Sequence, residues 1–323
     1  MGETMRVFGP VPSRRLGRSV GINNIPPKIC TYSCIYCQLG HSLRMTVDRL
    51  AFYSPDELYR EIEGHLQRAG EHGEPVDYLT LVPDGEPTLD RNLGVLLDLL
   101  KPFDIKIAVI TNATLIDRPA VRDDLARADW VSIKIDTVDE RMWRKIDRPH
   151  RKLHLDDITR GMERFAGEFD GRLVTETMLV KGLNDSPEHV RGVAEFIKTL
   201  GAATSYLSVP TRPPAEERAN PPEESDVNQA YQVFVENGLQ AEYLIGYEGN
   251  RFAFTGNVEK DILSITSVHP MRADAVETYL KKAGSNKSTV DKLVREGKLV
   301  ATNYDGRLFF LRKLILPQRG PNE

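Results

Sequence analysis

The sequence has 323 residues, of which 40% are hydrophobic and 28% are charged, and its formal net charge is −4. This length is typical of one large domain joined to a small one, and the charge gives no overall reason to expect a nucleic acid or a membrane as partner. No apolar run reaches the ~18 residues of a membrane-spanning helix, and the first residues lack the apolar region of a secretory signal. We therefore expect a cytoplasmic protein.

Short apolar strands alternate with amphipathic helices through most of the chain. The predicted strands are Ser19–Ile25, Tyr78–Val82, Lys106–Ile110, Trp130–Ile135, Leu173–Val180 and Ser205–Val209. The predicted helices are Pro55–Ala69, Arg91–Leu100, Ala120–Ala126, His154–Phe165, Pro187–Leu200 and Asp226–Asn237. This alternation indicates right-handed parallel crossovers. The fold class is therefore α/β, with a partial (β/α)6 barrel over residues 1–255.

The pattern changes beyond about Gly256. The sequence predicts three helices and then two strands joined by Asp305-Gly306, a pair that favours a tight hairpin turn. These elements are Val258–Ile265, Arg272–Ala283, Ser288–Glu296, Leu299–Tyr304 and Arg307–Leu314. Three helices followed by a hairpin predict a winged helix-turn-helix domain over residues 256–323.

The three cysteines lie within eight residues, in the pattern C-x3-C-x2-C of Cys30, Cys34 and Cys37. An odd number of cysteines so closely spaced does not form a disulfide framework and indicates metal binding or catalysis. A [4Fe–4S] cluster for electron transfer takes four thiolates, so three thiolates would leave one iron open to a substrate. The alternative is a zinc site completed by His41.

Other polar motifs follow the ends of predicted strands. They are Asp84–Pro87, Thr111–Ala113, Asp136, Lys181–Asn184 and Pro210–Arg212. Because the carboxyl ends of the strands form the active face of β/α barrels, we expect these residues on one rim with the cysteine loop.

Several charged residues of the barrel have both a structural and a functional interpretation. Lys134 and Asp136 share a face of one strand, as a structural or a catalytic pair. Glu176 is expected in the barrel interior or at its rim, and we take it as a candidate cofactor-binding residue. Arg14, Arg15 and Arg18 either contact a phosphate or carboxylate or form salt bridges near the barrel entrance.

The cysteine segment CTYSCIYC resembles the signature of the radical S-adenosylmethionine (SAM) superfamily, with Tyr36 at the aromatic position before the last cysteine. Asp84-Gly85-Glu86-Pro87 is similar to the Gly-Gly-Glu-Pro motif of that superfamily, with Asp84 in place of the first glycine. FGPVPSRRLGRSVGINNIPPKICTYSCIYCQLG and SVPTRPPAE resemble the branch grouped with wybutosine-biosynthesis Fe–S oxidoreductases, over about residues 6–249. Wybutosine enzymes carry further cysteines for a second cluster. This sequence lacks them, so we expect chemistry on one cluster and one SAM.

The resemblance implies one oxygen-sensitive [4Fe–4S] cluster on the three cysteines. Its open iron would bind SAM, and an electron donor such as ferredoxin or flavodoxin would reduce it. The resulting 5′-deoxyadenosyl radical would abstract a hydrogen atom from the substrate. The resemblance also implies the SAM-binding residues: Gly85 and Glu86 for the amino group, Tyr36 near the adenine, and Asn112 with Ser132 or Asp136 for the ribose and carboxylate.

The predicted C-terminal domain is basic. Residues 281–313 contain nine Lys or Arg and three acidic residues, a formal charge of +6. A basic winged helix indicates a phosphate backbone as partner, although such domains also bind leader peptides or only dock. We therefore predict an anaerobic radical SAM enzyme acting on a macromolecule, with an RNA such as tRNA first and a peptide or protein second. The alternatives are a redox-sensing Fe–S DNA-binding regulator without turnover and a zinc-dependent nucleic-acid-binding module.

Overall fold

The computed structural model describes residues 6–245, 252–268 and 270–313. The strands in chain order are β1 (Val7–Ser13), β2 (Gly17–Ile22), β3 (Ile29–Cys30), β4 (Arg44–Met45), β5 (Tyr78–Leu81), β6 (Lys106–Thr111), β7 (Trp130–Lys134), β8 (Arg172–Met178), β9 (Thr204–Ser208), β10 (Ala241–Tyr243), β11 (Met271–Arg272), β12 (Leu299–Tyr304) and β13 (Arg307–Arg312). The helices are α1 (Pro55–Glu71), α2 (Leu93–Leu100), α3 (Pro119–Leu125), α4 (Glu140–Ile146), α5 (Leu155–Glu168), α6 (Pro187–Leu200), α7 (Glu224–Glu236), α8 (Val258–Val268), α9 (Ala273–Lys282) and α10 (Lys287–Arg295).

The central sheet has eight strands in the order β1-β2-β5-β6-β7-β8-β9-β10. Every neighbouring pair from β2 to β10 is parallel, and β1 runs antiparallel to β2. The helices between successive strands make the crossovers that parallel pairing requires. The prediction of an α/β fold with a mostly parallel central sheet is confirmed.

The sheet is strongly curved. Arg15, in the turn between β1 and β2, forms an ion pair with Glu176 of β8. In the sheet, β8 is four positions away from β2, which would separate the two strands by about 19 Å if the sheet were flat. The Arg14 side chain also donates a hydrogen bond to the Ile245 carbonyl, 2.5 Å away, just beyond β10. The two edges of the sheet therefore approach each other, as in a partial barrel.

The two faces of the sheet differ in polarity. On β7, Val131 and Ile133 belong to the large apolar core of the protein, whereas Trp130 contributes to a smaller cluster on the other face. Side chains alternate between faces along a strand, so Ser132 and Lys134 share the face of Trp130. The inner face is therefore apolar at one end and polar towards the carboxyl ends of the strands.

The sheet exceeds the predicted six strands at both edges. The sequence pattern missed β1 because it contains Pro10 and Pro12, which are tolerated at a sheet edge but disguise a strand. It missed β10 because that strand has three residues. The predicted first strand also ends earlier, at Ile22. Its successor Asn23 turns away and accepts a hydrogen bond from the backbone N–H of Asp84 at 3.1 Å.

A second apolar core lies in the C-terminal part of the chain. It joins α8, α9 and α10 to a three-stranded sheet with the order β11-β13-β12. The predicted hairpin is confirmed over the described residues, and Leu314 lies outside them. Asp305 and Gly306 both have positive φ, 48° and 66°, the conformation that favours Asp-Gly in two-residue hairpin turns.

The C-terminal part packs against β1 and α1. The N–H of Ala253 donates to the Pro10 carbonyl at 3.0 Å, and Lys282 forms an ion pair with Glu74. Among the described residues, no helix combines the length and the apolar character that a membrane span requires.

Candidate active site

The three cysteines lie at the carboxyl end of β2, on a loop held by backbone hydrogen bonds. The Cys30 carbonyl accepts from Thr46 N at 3.1 Å, and Cys37 N donates to the Cys34 carbonyl at 3.2 Å. All three cysteines are free, and each is partly buried. The loop therefore carries three unpaired thiols within eight residues.

The environment of the sulfur atoms fits a metal cluster. The Cys30 sulfur lies 3.5 Å from Tyr32 N and 3.6 Å from Asn112 Nδ2, two donors that stabilise a thiolate. Burial raises the pKa of Cys30 to about 12, and it also raises the pKa values of Cys34 and Cys37. Burial thus disfavours free thiolates here, and a bound metal would hold the sulfur atoms in that form. Three such ligands suit a [4Fe–4S] cluster that keeps one iron open.

The zinc alternative needs His41 beside the three cysteines. His41, the residue expected to complete such a site, is half-exposed and has Glu216 as its nearest acidic neighbour, 4.0 Å away.

The loop Asp84–Pro87 follows β5 and packs directly on the cysteine loop. Glu86 N donates to the Ile29 carbonyl at 3.2 Å, one residue before Cys30. A Cβ atom on Gly85 would lie 1.9 Å from the same carbonyl oxygen, so this close approach requires glycine.

The carboxylate of Glu86 is buried and held in one orientation. Its Oε1 accepts hydrogen bonds from Thr88 N, Thr88 Oγ1 and Thr111 Oγ1, at 3.0, 2.6 and 2.5 Å. Its Oε2 accepts one, from Asn112 N at 2.8 Å. Burial raises the pKa of Glu86, although these bonds oppose the rise. Because a carboxylate oxygen accepts more than one hydrogen bond, Oε2 retains capacity for a further donor.

Asn112 connects this carboxylate to the cysteine loop. Its Nδ2 donates to Thr31 Oγ1 at 2.8 Å, and its Oδ1 accepts from Thr114 Oγ1 at 2.8 Å. The side chain is thus engaged on both sides, and it positions the loop that carries Cys30.

Tyr36 joins the cysteine loop to two carboxyl groups. Its hydroxyl donates to Asp136 and lies 3.0 Å from Asp147 Oδ1. One phenolic proton cannot serve both groups. Burial, together with the neighbouring Asp136, raises the pKa of Asp147 well above its usual range. Asp147 Oδ1 also lies 3.5 Å from the Cys34 sulfur.

Lys134 and Glu176 form the polar centre of the barrel. Lys134 Nζ lies 3.2 Å from Glu176 Oε1 and 3.8 Å from Asp136 Oδ1, and it sits 5.0 Å above the centre of the Tyr36 ring. Although burial opposes the change, Lys134 and Arg15 lower the pKa of Glu176 to about 2. Both acidic partners of Lys134 were identified from the sequence, and the closer one is Glu176.

The structure brings most of the sequence-predicted residues to one rim. Ser132 differs, because it lies one inward position below Lys134 on β7 and is fully buried. Sequence reasoning missed Thr88, which binds Glu86 from two residues away. It also missed Arg312, which lies close enough to Asp84 to lower the pKa of that carboxyl against the effect of burial. Thr111 stood in a motif that the sequence had marked.

Comparison with known proteins agrees with this geometry. The model of the Radical SAM superfamily matches residues 24–197, more than half of the chain. The chain is 46% identical to the UPF0026 protein of Methanocaldococcus jannaschii over 309 residues, which cover 95% of this chain and 96% of that protein. It is 35% identical to the UPF0026 protein of Helicobacter pylori strain 26695 over 211 residues, 64% of this chain and 67% of that protein.

A structure of TYW1 with a lysine-pyruvate adduct bound has a similar fold, with a TM-score of 0.54. The match covers 68% of this chain and 74% of that chain at 16% identity. At this identity, the likeness concerns the fold alone.

Proposed function

Because the chain belongs to the radical SAM superfamily and is homologous to the UPF0026 proteins, we propose that it is an enzyme that holds one [4Fe–4S] cluster on Cys30, Cys34 and Cys37. When bound, the cluster supplies the electron that cleaves SAM reductively, so that a hydrogen atom is removed from a substrate. The observation that carries this proposal is the packing of Glu86 against the backbone of Ile29, next to Cys30. It puts a fixed carboxylate beside the sulfur ligands.

We assign distinct roles to the rim residues. Oε2 of Glu86, which accepts one hydrogen bond from Asn112 N, would hold the SAM ammonium together with the Gly85 backbone. Asn112 positions Cys30. Tyr36 would lie on the adenine side, and Asp136 orients its ring, because both Asp136 oxygens are already bonded within the protein.

The inner residues exclude water and balance charge. Glu176 and Asp136 balance the charges of Lys134 and Arg15 inside the barrel, and Ser132 lies below them. A radical reaction requires such a rigid and dry surrounding, because a free radical attacks whatever lies nearest.

We further propose that the C-terminal part, residues 256–323, is a winged helix that recruits a macromolecular substrate, with RNA such as tRNA favoured. Three helices and a three-stranded sheet support this assignment, as do the exposed basic residues of α10. Lys292 of α10 already pairs with Glu259 at 2.7 Å, so part of the basic charge is compensated within the domain. The assignment to the wybutosine-type branch rests on the motif residues.

A peptide or protein substrate is the second candidate, since basic winged helices also receive leader peptides. A redox-sensing regulator has less support, because a cluster with four cysteine ligands needs a cysteine that this sequence lacks.

The test is anaerobic reconstitution with iron, sulfide and a reductant, or with a donor such as ferredoxin or flavodoxin. SAM is then added, and 5′-deoxyadenosine is measured. We expect one cluster per chain and SAM cleavage that depends on the reductant. Zinc as the dominant metal in anaerobically purified protein, or no cleavage by protein with a full cluster, would contradict the proposal.

A further inference from the structure

A cavity of about 610 Å³ lies between the carboxyl end of β9 and the β12–β13 hairpin. Pro210 and Arg212, which follow β9, form part of one wall, and Tyr304 and Arg307 of the hairpin form part of the other. The hydroxyl of Tyr304 donates to the Pro210 carbonyl at 3.2 Å and joins the two walls. The cavity exists because the C-terminal part packs on the rim of the barrel.

One residue of the cavity lining contacts the cysteine loop. Arg212 Nη1 donates to Gln38 Oε1 at 2.8 Å, and Gln38 directly follows Cys37. At the far end of β13, Arg312 lies close enough to Asp84 to affect the pKa of its carboxyl. The hairpin therefore contacts the rim at Pro210, and its far end comes near Asp84.

The lining combines positive charge with flat apolar surfaces. Three arginines line the cavity, namely Arg212, Arg272 and Arg307, together with two acidic residues, Glu224 and Asp305, so the formal charge of the lining is +1. Asp274 holds the Arg272 guanidinium through two hydrogen bonds of 2.8 and 2.7 Å. Arg307 is exposed and forms no ion pair with any residue that the structure describes. Its guanidinium is free to bind an anion through two parallel hydrogen bonds.

The aromatic and proline residues of the lining restrict which ligands fit the cavity. Tyr304 and Phe309 pack edge to face, with ring centres 6.4 Å apart, and Pro210 lies opposite them. A flat heterocycle stacks well on such surfaces. An acidic amino acid would contact the arginines but not the aromatic and proline surfaces. An apolar peptide would contact these surfaces but not the arginines.

Resting on the proposed function, we propose that this cavity is the substrate site and that it binds a nucleoside phosphate, with its base against Tyr304 and its phosphate at Arg307. The nucleotide is either a free metabolite or one residue of an RNA strand. Both sources present the same ring and the same charge to the cavity, whose size is typical of small-molecule sites.

The test uses the full chain without the cluster and measures binding by calorimetry. The ligands are nucleoside monophosphates, the matching nucleosides, inorganic phosphate and a short single-stranded RNA. The variants are Arg307→Gln and Tyr304→Ala, and the control is Arg164→Gln, an exposed arginine on α5 away from the cavity. Melting curves confirm that each variant is folded.

We expect the phosphate to tighten binding by about ten-fold over the nucleoside, and we expect this advantage to disappear in Arg307→Gln. Tyr304→Ala should weaken binding of the nucleoside as well as of the monophosphate. Arg164→Gln should change the binding of neither ligand. Binding of monophosphates alone identifies a free metabolite as the source, whereas tighter binding of RNA identifies a residue in a strand. The proposal is overturned if neither the monophosphates nor the RNA bind, or if Arg307→Gln binds them with unaltered affinity.

A separate measurement tests the proposed function independently of the cavity. SAM cleavage without substrate should be the same in reconstituted Arg164→Gln, the control outside the cavity, and the unmodified protein. If neither protein cleaves SAM, the radical SAM assignment of this chain falls, and the calorimetric result on the cavity still stands.

Discussion

Arg15 and Glu176 form an ion pair inside the curved sheet, between the turn that joins β1 to β2 and the middle of β8. Lys134 meets the other oxygen of the same carboxylate at 3.2 Å, and Ser208 donates to it at 3.2 Å. The carboxylate is therefore the centre that holds two largely buried cations in the barrel interior. Removing it would leave like charges facing each other where little water reaches.

We expect Glu176→Gln to lower the free energy of unfolding by about 3 kcal/mol, the usual cost of breaking a buried pair by removing one partner. Urea unfolding of the cluster-free protein measures the change. Glu163→Gln, an exposed position on α5, is the matched control and should change stability by less than about 0.5 kcal/mol.

The contribution of Glu176 also depends on pH. Its folded pKa of about 2 lies below its ordinary value of 4.5, so its stabilisation is complete above pH 4.5 and is lost as the pH falls towards 2. The difference between the two proteins should shrink over the same interval. A constant difference from pH 6 to pH 2 would show that the charge of Glu176 is not what stabilises the barrel.

Local sequence patterns predicted the site better than they predicted its surroundings. Glu86, Asn112 and Asp136 could be located because each follows a buried strand, and parallel strands end on the same rim. The partners of Arg15 and Arg312 lie far away along the chain, and no periodicity connects them. The same holds for β1 and β10, whose pairing depends on how far the sheet curves and not on their own sequence.

Cys34→Ala should abolish both cluster assembly and SAM cleavage, because two remaining thiolates cannot hold the cluster in place. Iron and sulfide content after anaerobic reconstitution, together with the visible spectrum, measures this. Ser54→Ala is a suitable control, because Ser54 is exposed and its side chain makes no cap hydrogen bond to α1. A full cluster in Cys34→Ala would mean that the three-cysteine assignment is wrong.

Glu86→Gln should separate SAM binding from cluster binding. The substitution removes the negative charge that meets the SAM ammonium, a contact worth about 1.5–3 kcal/mol. SAM affinity should therefore fall by roughly one to two orders of magnitude, while the cluster still assembles. Exposed Glu63→Gln on α1 is the control. If the dissociation constant of SAM in Glu86→Gln equals that of the control, Glu86 does not contact SAM.

Asp84→Asn should stabilise the cluster-free protein at alkaline pH. Burial raises the pKa of Asp84 to about 7 from an ordinary 3.8, and its Oδ1 has no hydrogen-bond partner among the described residues. Its ionisation therefore opposes folding, with a cost that grows from about pH 4 and is complete above pH 7. We expect a gain of about 2–4 kcal/mol at pH 8 that vanishes near pH 4. A variant that is less stable than the unmodified protein at pH 8 would contradict this.

The basic helix α10 provides the test of macromolecular recruitment. If Lys287, Lys292 and Arg295 contact phosphates, each contact releases a counterion, so affinity for the nucleic acid falls steeply with salt. Replacing all three with Gln in the full chain should flatten the slope of log K against log salt by about two to three units, at roughly 0.7–0.9 units for each lost contact. Lys292 must leave Glu259 to reach a phosphate, so the value should lie at the lower end of this range.

SAM cleavage without substrate should stay unchanged, because α10 lies on the C-terminal part and the cysteines on the barrel. Titrations of RNA and duplex DNA over a salt series measure the slope, with a triple replacement of the exposed Arg164, Arg191 and Lys198 as the control. An equal slope for both triple variants would show that α10 does not contact the nucleic acid.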